Sequence, residues 1–345
     1  MTKKNRFLKH IHYFRAFAII NIVIIHTWRI PSEYKESQHL TYLLIETFRE
    51  VSFHDSTIYF VFISGFLFHY LSPRFELIKY YKSKIFNVIF PYIFMTSLVL
   101  FKHANEFTNI EYTLFFSAKK IFTTFVYGKA QIQYWYIPFI SLVFLISPLL
   151  LKIPKNIFYK VVIVASILPL LGTRTNIQIS IWQYIYFLPI YLQGIYVSMN
   201  YNKITKFINM KKKQLFFISI ISSILLIYLQ WSRYHISIVN ITESLYYIQK
   251  LSICFLIIIT FQKFENKDFS ILNNFATYSF AIYFTHLLVG NNLFKNYYYH
   301  FIPESSLLIL PASILYVVIV TFTTLFFCMS IKKILGHRSR YFIGA

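Results

Sequence analysis

The sequence predicts an all-α, polytopic transmembrane helical bundle of about ten spans, with both termini in the cytoplasm. Three observations predict it. The 345 residues are 57% hydrophobic and only 13% charged, well below the roughly 25% charged residues of a soluble domain. Apolar runs close to the ~20 residues that cross a bilayer recur along the whole chain. The 34 Lys and Arg residues gather in short caps between those runs, where topology signals lie.

In chain order the spans are expected near 12–30, 52–72, 80–103, 134–151, 158–173, 180–199, 213–231, 244–263, 273–292 and 306–333. The stretch "LTYLLIETF" (40–48) is too short to span and is expected at the outer interface. The longest connection, 104–133, contains "FFSAKKIFTTFVYG", which reads either as an interfacial helix or as a lid over a site. With the N-terminus inside, most of the basic caps fall on the cytoplasmic side, as positive-inside asymmetry requires. No soluble domain or linker interrupts the pattern. Residues 1–345 are expected to form one integral membrane domain, with the bundle over about 12–335, in a bacterial plasma membrane.

The formal charge of +22 does not point to nucleic acid, because the basic residues cap apolar runs instead of lining one face. Cys254 and Cys328 lie in apolar segments, so neither a disulfide framework nor a clustered zinc site is expected. The first apolar run continues into "HTWRIPSEY", which lacks a small-x-small cleavage site, so the first helix is expected to stay.

That first run, "YFRAFAIINIVIIHTW" (13–28), carries Arg15 and His26. Eleven residues at 100° each return to within about 20° of the starting direction, so both share one face, roughly 16 Å apart along the axis. An arginine in hydrocarbon costs on the order of 3 kcal/mol. Arg15 reduces this by snorkelling to the interface, whereas His26 is too short to do so. Two readings stand: an anchor plus a satisfied interior histidine, or a polar track in which a cation fixes an anionic cosubstrate and an imidazole moves a proton.

Arg-x10-His in the first span resembles the hallmark of the acyltransferase family 3 membrane O-acyltransferases. This family includes fucose 4-O-acetylase-like proteins and the intercellular-adhesin membrane proteins of biofilm polysaccharide systems. "YFVFISGFLF" (59–68) is similar to the family's Phe-rich second span ending in Ser-Gly. "KSKIFNVIFPYIF" (82–94) is similar to its basic-x-basic segment leading to Pro-Tyr. "YWYIPFI" (134–140) and "YSFAIYFTH" (278–286) resemble its Trp-Tyr-x-Pro-Phe and Ser-Phe-x-Ile-Tyr-x-x-His segments. Two departures stand out. Lys82 and Lys84 occupy positions where relatives often carry Arg, losing the bidentate fork that suits phosphate. Gln133 stands where many relatives have His.

The resemblance implies acyl transfer from a cytoplasmic thioester, usually acetyl-CoA, to a hydroxyl of a cell-surface or exopolysaccharide sugar. Acyl-CoA then acts as cosubstrate and no bound cofactor is expected. The implied partners are a glycan or lipid-linked sugar acceptor, membrane lipid and components of a polysaccharide synthase. Arg15, Lys82 and Lys84 are the expected contacts to the anionic CoA. His26 is the expected general base, or a transient acyl carrier, with Arg15 beside it in the catalytic set. Asp55 either caps the second span, orients His26 or His54, or binds sugar hydroxyls. Trp135 and Tyr136 either stack on a sugar ring or belong to an aromatic belt. His286 is either a substrate contact or a hydrogen-bonded structural histidine. Ser64, beside Gly65, reads as a close-packing position before it reads as a nucleophile. The competing function is a polysaccharide exporter or flippase, which calls for polar residues along a pore and inverted repeats. No convincing internal repeat is present.

Overall fold

The computed structural model describes residues 7–29, 39–103, 114–171, 179–232, 241–301 and 306–345. Every regular element among them is helical. This follows from a chain whose apolar runs leave the backbone N–H and C=O groups no partners in lipid except each other. The helices are α1 (Lys9–Thr27), α2 (His39–Phe53), α3 (Thr57–Leu71), α4 (Leu77–Lys84), α5 (Phe90–Lys102), α6 (Leu114–Tyr127), α7 (Tyr136–Leu150), α8 (Lys155–Ala165), α9 (Leu168–Leu171), α10 (Ile181–Met199), α11 (Tyr201–Ser232), α12 (Ile241–Gln262), α13 (Ser270–Thr277), α14 (Ser279–Phe301), α15 (Ser306–Leu335) and α16 (Ser339–Phe342).

Each of the ten segments expected to span falls on one or two of these helices. Among the described residues, five stretches are long and apolar enough to cross a membrane by themselves: Leu40–Arg74, Leu77–Lys102, Tyr201–Ser232, Ile241–Gln262 and Leu308–Phe342. The others are shorter or more polar. The stretch 40–48 lies within the 15-residue α2, which leads into α3 through a tight turn. The segment expected as a lid or interfacial helix forms α6, and the residues before it, 104–113, lie outside the described set. Large apolar side chains stay exposed on α7, α11 and α15, with Leu149, Phe217 and Phe326 each 60% or more accessible. In a membrane that surface meets lipid.

α1 sits inside the bundle, packed against α2, α3, α12, α13, α14 and α15. Ala16 and Ala18 are fully buried and let neighbouring backbones approach. α1 has no N-cap side chain of its own. Glu265, in the α12–α13 connection, takes that role from 255 residues away: its carboxylate accepts from the backbone N–H of Lys9 (3.1 Å) and of His10 (2.9 Å). An anion there also suits the positive end of the helix dipole. The same carboxylate accepts from His10 Nδ1 at 2.5 Å, and the Tyr201 hydroxyl donates to His10 Nε2 at 2.6 Å. That arrangement fits a neutral imidazole protonated on Nδ1.

Two further features shape the interior. α3 and α10 touch backbone to backbone. A Cβ on Gly65 would stand 2.0 Å from the Tyr191 carbonyl oxygen, and one on Gly194 would stand 2.2 Å from that of Phe62. Between α4 and α5 the helix widens into a π turn over Ile85–Ile89, closed by the Phe90 N–H bonding back to the Ile85 carbonyl. Pro91 explains it, since it has no N–H to continue the regular ladder.

Candidate active site

Arg15 opens onto a cavity of about 520 Å³ at the end of the bundle where α1 begins. Its guanidinium donates to the Ser279 hydroxyl at the first residue of α14 (2.9 Å). Arg74, Lys79 and Lys84 line the same cavity, together with Ser64, Tyr136 and Phe280. Arg74 and Lys79 are exposed at its rim, whereas Lys84 is half-buried. The Lys84 ammonium lies over the Phe144 ring at 3.9 Å and the Tyr80 ring at 5.2 Å, a cation–π setting that holds the charge without a carboxylate. The acid on this wall, Glu76, pairs loosely with Lys79 across 3.7 Å of open solvent. The cavity therefore presents four cations to one carboxylate, above an apolar floor. Such a pocket suits a ligand with an anionic head and a thinner, less polar tail. Lys82 is exposed on α4 and lies outside the cavity wall.

His26, at the other end of α1, is half-buried and does not line the cavity. Ala18, Ile19 and Ile22 pack tightly along the stretch of α1 between it and Arg15. The connection runs instead along rings on the facing elements. Tyr136 meets Tyr283 at 5.9 Å between ring centroids, Tyr283 meets His286 at 6.4 Å, and His286 meets His26 at 5.6 Å. The stripe of α1 that carries Arg15 and His26 thus faces α14, which supplies Ser279 at one end and His286 at the other. His286 is fully buried, and its Nδ1 is 2.9 Å from the Ile282 carbonyl.

Asp55 lies in the turn between α2 and α3 with φ of 58°, the left-handed region that Asp tolerates better than most residues. The N-cap position of α3 is held by Ser56, and the Asp55 carboxylate starts one residue farther back. It accepts from the Tyr186 hydroxyl at 2.8 Å, and it stands 3.7 Å from His54 Nε2, whose Nδ1 meets Glu50 at 2.9 Å. Arg49 joins Glu46 and Glu50 and donates to the Trp28 carbonyl two residues past His26. Lys250, fully buried, donates to the carbonyls of Val51 (3.3 Å) and Ser52 (2.8 Å) and so closes the C-terminal end of α2.

Trp135 is half-buried against Phe187 and Phe139. Phe187 follows Tyr186, so Trp135 and Asp55 meet consecutive residues of α10. Tyr136 is buried and points the other way, into the Arg15 cavity. Gln133 is buried, and its carbonyl accepts from the Tyr283 hydroxyl, strapping the segment before α7 onto α14.

The family model for the acyltransferase domain, Acyl_transf_3, matches residues 8–333. The chain belongs to acyltransferase family 3. It is a membrane acyltransferase. No curated protein and no solved structure matches it significantly.

Within this acyltransferase, the residues singled out by sequence divide among three places, with Lys82 outside them. Arg15, Lys84 and Tyr136 share the cavity, while His26 and His286 share a contact farther along. Asp55 and Trp135 flank the start of α10. Three partners were not singled out. Ser279 anchors Arg15, and its signal was its place at the head of the Ser-Phe-x-Ile-Tyr-x-x-His segment. Lys250 carried its own signal, a lone lysine inside an apolar run. Tyr186 had none, because one tyrosine among 29 is not distinguishable by pattern.

Proposed function

We propose that this acyltransferase moves an acyl group, most simply acetyl, from acyl-CoA to a hydroxyl of a cell-surface or exopolysaccharide sugar. The cavity that joins Arg15 to Arg74, Lys79 and Lys84 is the observation that carries the reading. Its cations suit the phosphates of CoA, and its apolar floor suits the pantetheine arm leading to the thioester. Arg15, held by Ser279, provides the fixed fork. Lys84 is a point charge on an aromatic seat. Lys82 adds only to the field at the mouth. The mouth faces the cytoplasm and both termini lie there, in a ten-span arrangement across the bacterial plasma membrane. A sugar acceptor, free or lipid-linked, approaches from the His26 end, where Asp55 and Trp135 offer a carboxylate and an aromatic face. Components of a polysaccharide synthase would bring that acceptor.

Once the pantetheine arm has passed the Tyr136–Tyr283–His286 rings that separate the cavity from His26, His26 takes the hydroxyl proton as the oxygen attacks the thioester carbonyl carbon. The carbon–sulfur bond then breaks, and CoA leaves as the thiol after the proton returns to sulfur. The test is product analysis. Glycan from cells carrying the wild type is expected to bear ester-linked acyl groups, which His26→Ala and Arg15→Ala each remove. Unchanged ester content in both variants overturns the assignment. Loss of surface glycan with esters retained on the remainder points to export instead.

A further inference from the structure

His286 has one ring nitrogen committed and one open. Nδ1 bonds to the Ile282 carbonyl one turn back on α14. A carbonyl only accepts, so Nδ1 carries the hydrogen and Nε2 carries the lone pair. Nε2 is buried and has no hydrogen-bond partner. A buried acceptor without a donor is costly and calls for an explanation. Its ring faces that of His26, 5.6 Å away between centroids and tilted by 32°. A second orphan lies on the strap fixed to α14. Gln133 Oε1 is also buried without a partner, while Gln133 Nε2 donates to Gln131. Two acceptors wait for donors on segments joined by the Tyr283 hydrogen bond to the Gln133 carbonyl.

We propose that His26 and His286 work as a two-imidazole proton relay, with His286 Nε2 the store for the proton released by the acceptor hydroxyl. The proposal rests on the acyl-transfer reading above and extends it to a residue to which that reading gives no role. The bare nitrogen of His26 takes the hydroxyl proton. The N–H on its other nitrogen passes a proton to His286 Nε2 across one bridging water. The hydroxyl oxygen bonds to the acyl carbon, and the carbon–sulfur bond breaks. The stored proton returns through His26 to the thiolate. Alcohol and thioester become ester and thiol, and both imidazoles end neutral. The Ile282 carbonyl fixes the tautomer in which His286 can receive and, once charged, stabilises the imidazolium through the same hydrogen bond.

The test uses membrane vesicles from cells expressing the full chain, with their own glycan as acceptor and acetyl-CoA and succinyl-CoA as the probes. Release of CoA thiol gives turnover, and binding of the same thioesters gives affinity. His286→Asn keeps a donor for the Ile282 carbonyl, and His286→Gln keeps a polar group near the Nε2 position, but neither can hold the proton. Both are expected to bind the probe within about twofold of wild type and to turn over about a hundredfold more slowly or worse, the usual scale for acid–base groups. The double variant His26→Ala/His286→Asn is expected to be no slower than His26→Ala alone, because the two act as one unit. Turnover of both His286 variants within threefold of wild type overturns the relay. So does a double variant slowed by the product of the single losses. Loss of thioester binding together with turnover in both variants assigns His286 to the packing of α14 and also overturns it. If His26→Ala itself releases thiol at the wild-type rate, or the wild type releases none, the acyl-transfer reading fails instead.

Discussion

At the scale of single residues, Arg15 shows how a costly side chain is kept. Its guanidinium faces the cation-rimmed cavity and the Ser279 hydroxyl. Arg15→Lys keeps the charge but loses the planar fork. It is expected to weaken acetyl-CoA binding about tenfold, roughly 1.4 kcal/mol, as titration of the purified protein would show. Glu265 is a second case. Burial pushes its carboxyl upward, but hydrogen bonds from His10, backbone and ring, and from the Lys9 N–H outweigh this and hold it below the ordinary value of 4.5. His10 is lowered from 6.5, chiefly by burial, against the opposing pull of Glu265. In both groups the unfolded chain takes up protons first. Stability is therefore lost as pH falls, from about 6.5 downward for His10 and from about 4.5 downward for Glu265. Glu265→Gln is expected to lower stability by about 1.5–3 kcal/mol at neutral pH, the scale of hydrogen bonds to a charged group. Its melting temperature should depend less on pH below 4.5 than that of the wild type. An unchanged acid limb would overturn the capping role.

At the scale of elements, the α3–α10 contact is the least forgiving. The Cβ of an alanine at Gly65 or Gly194 would fall inside a backbone carbonyl of the partner helix. Neither backbone can move without separating the helices along the buried seam. Gly65→Ala is expected to destabilise by about 1–3 kcal/mol or more, read as a drop in melting temperature in detergent, and so is Gly194→Ala. Because Ser64 lines the Arg15 cavity beside this seam, the same variants should also weaken acetyl-CoA binding. The glycine at 65 was legible in sequence, where Ser-Gly within an apolar run reads as close packing. Its partner at 194 was not, since a pairing of helices this far apart in the chain leaves no local pattern. Lys250 acts on an element as well. It satisfies two carbonyls at the end of α2 and thereby fixes the turn that holds Asp55. Lys250→Met is expected to destabilise the fold by about 3 kcal/mol, with the acceptor end affected first, as proteolysis within 51–56 would report.

At the scale of the whole molecule, the proposed topology puts the Arg15 cavity and the His54–Asp55 turn on opposite sides of the membrane. Single cysteines at Lys79 and His54 should react with an impermeant maleimide from the cytoplasmic and outer sides respectively. Cys254 and Cys328 are buried, which keeps the background low. Labelling of both positions from one side would overturn the arrangement. The all-helical class, the segments that become helices and the membrane setting were determined by the sequence alone. They follow from run length, from the absence of water to satisfy a backbone in lipid and from charge placed mostly where runs end. The face shared by Arg15 and His26 was also determined there, because helical period fixes direction within one helix. Tertiary structure alone decided what that face meets. It chose Lys84 over Lys82 for the cavity, turned Tyr136 inward, gave Asp55 to Tyr186 and set His286 against His26. Period says where a side chain points, but only packing says which helix, hundreds of residues away, stands in front of it.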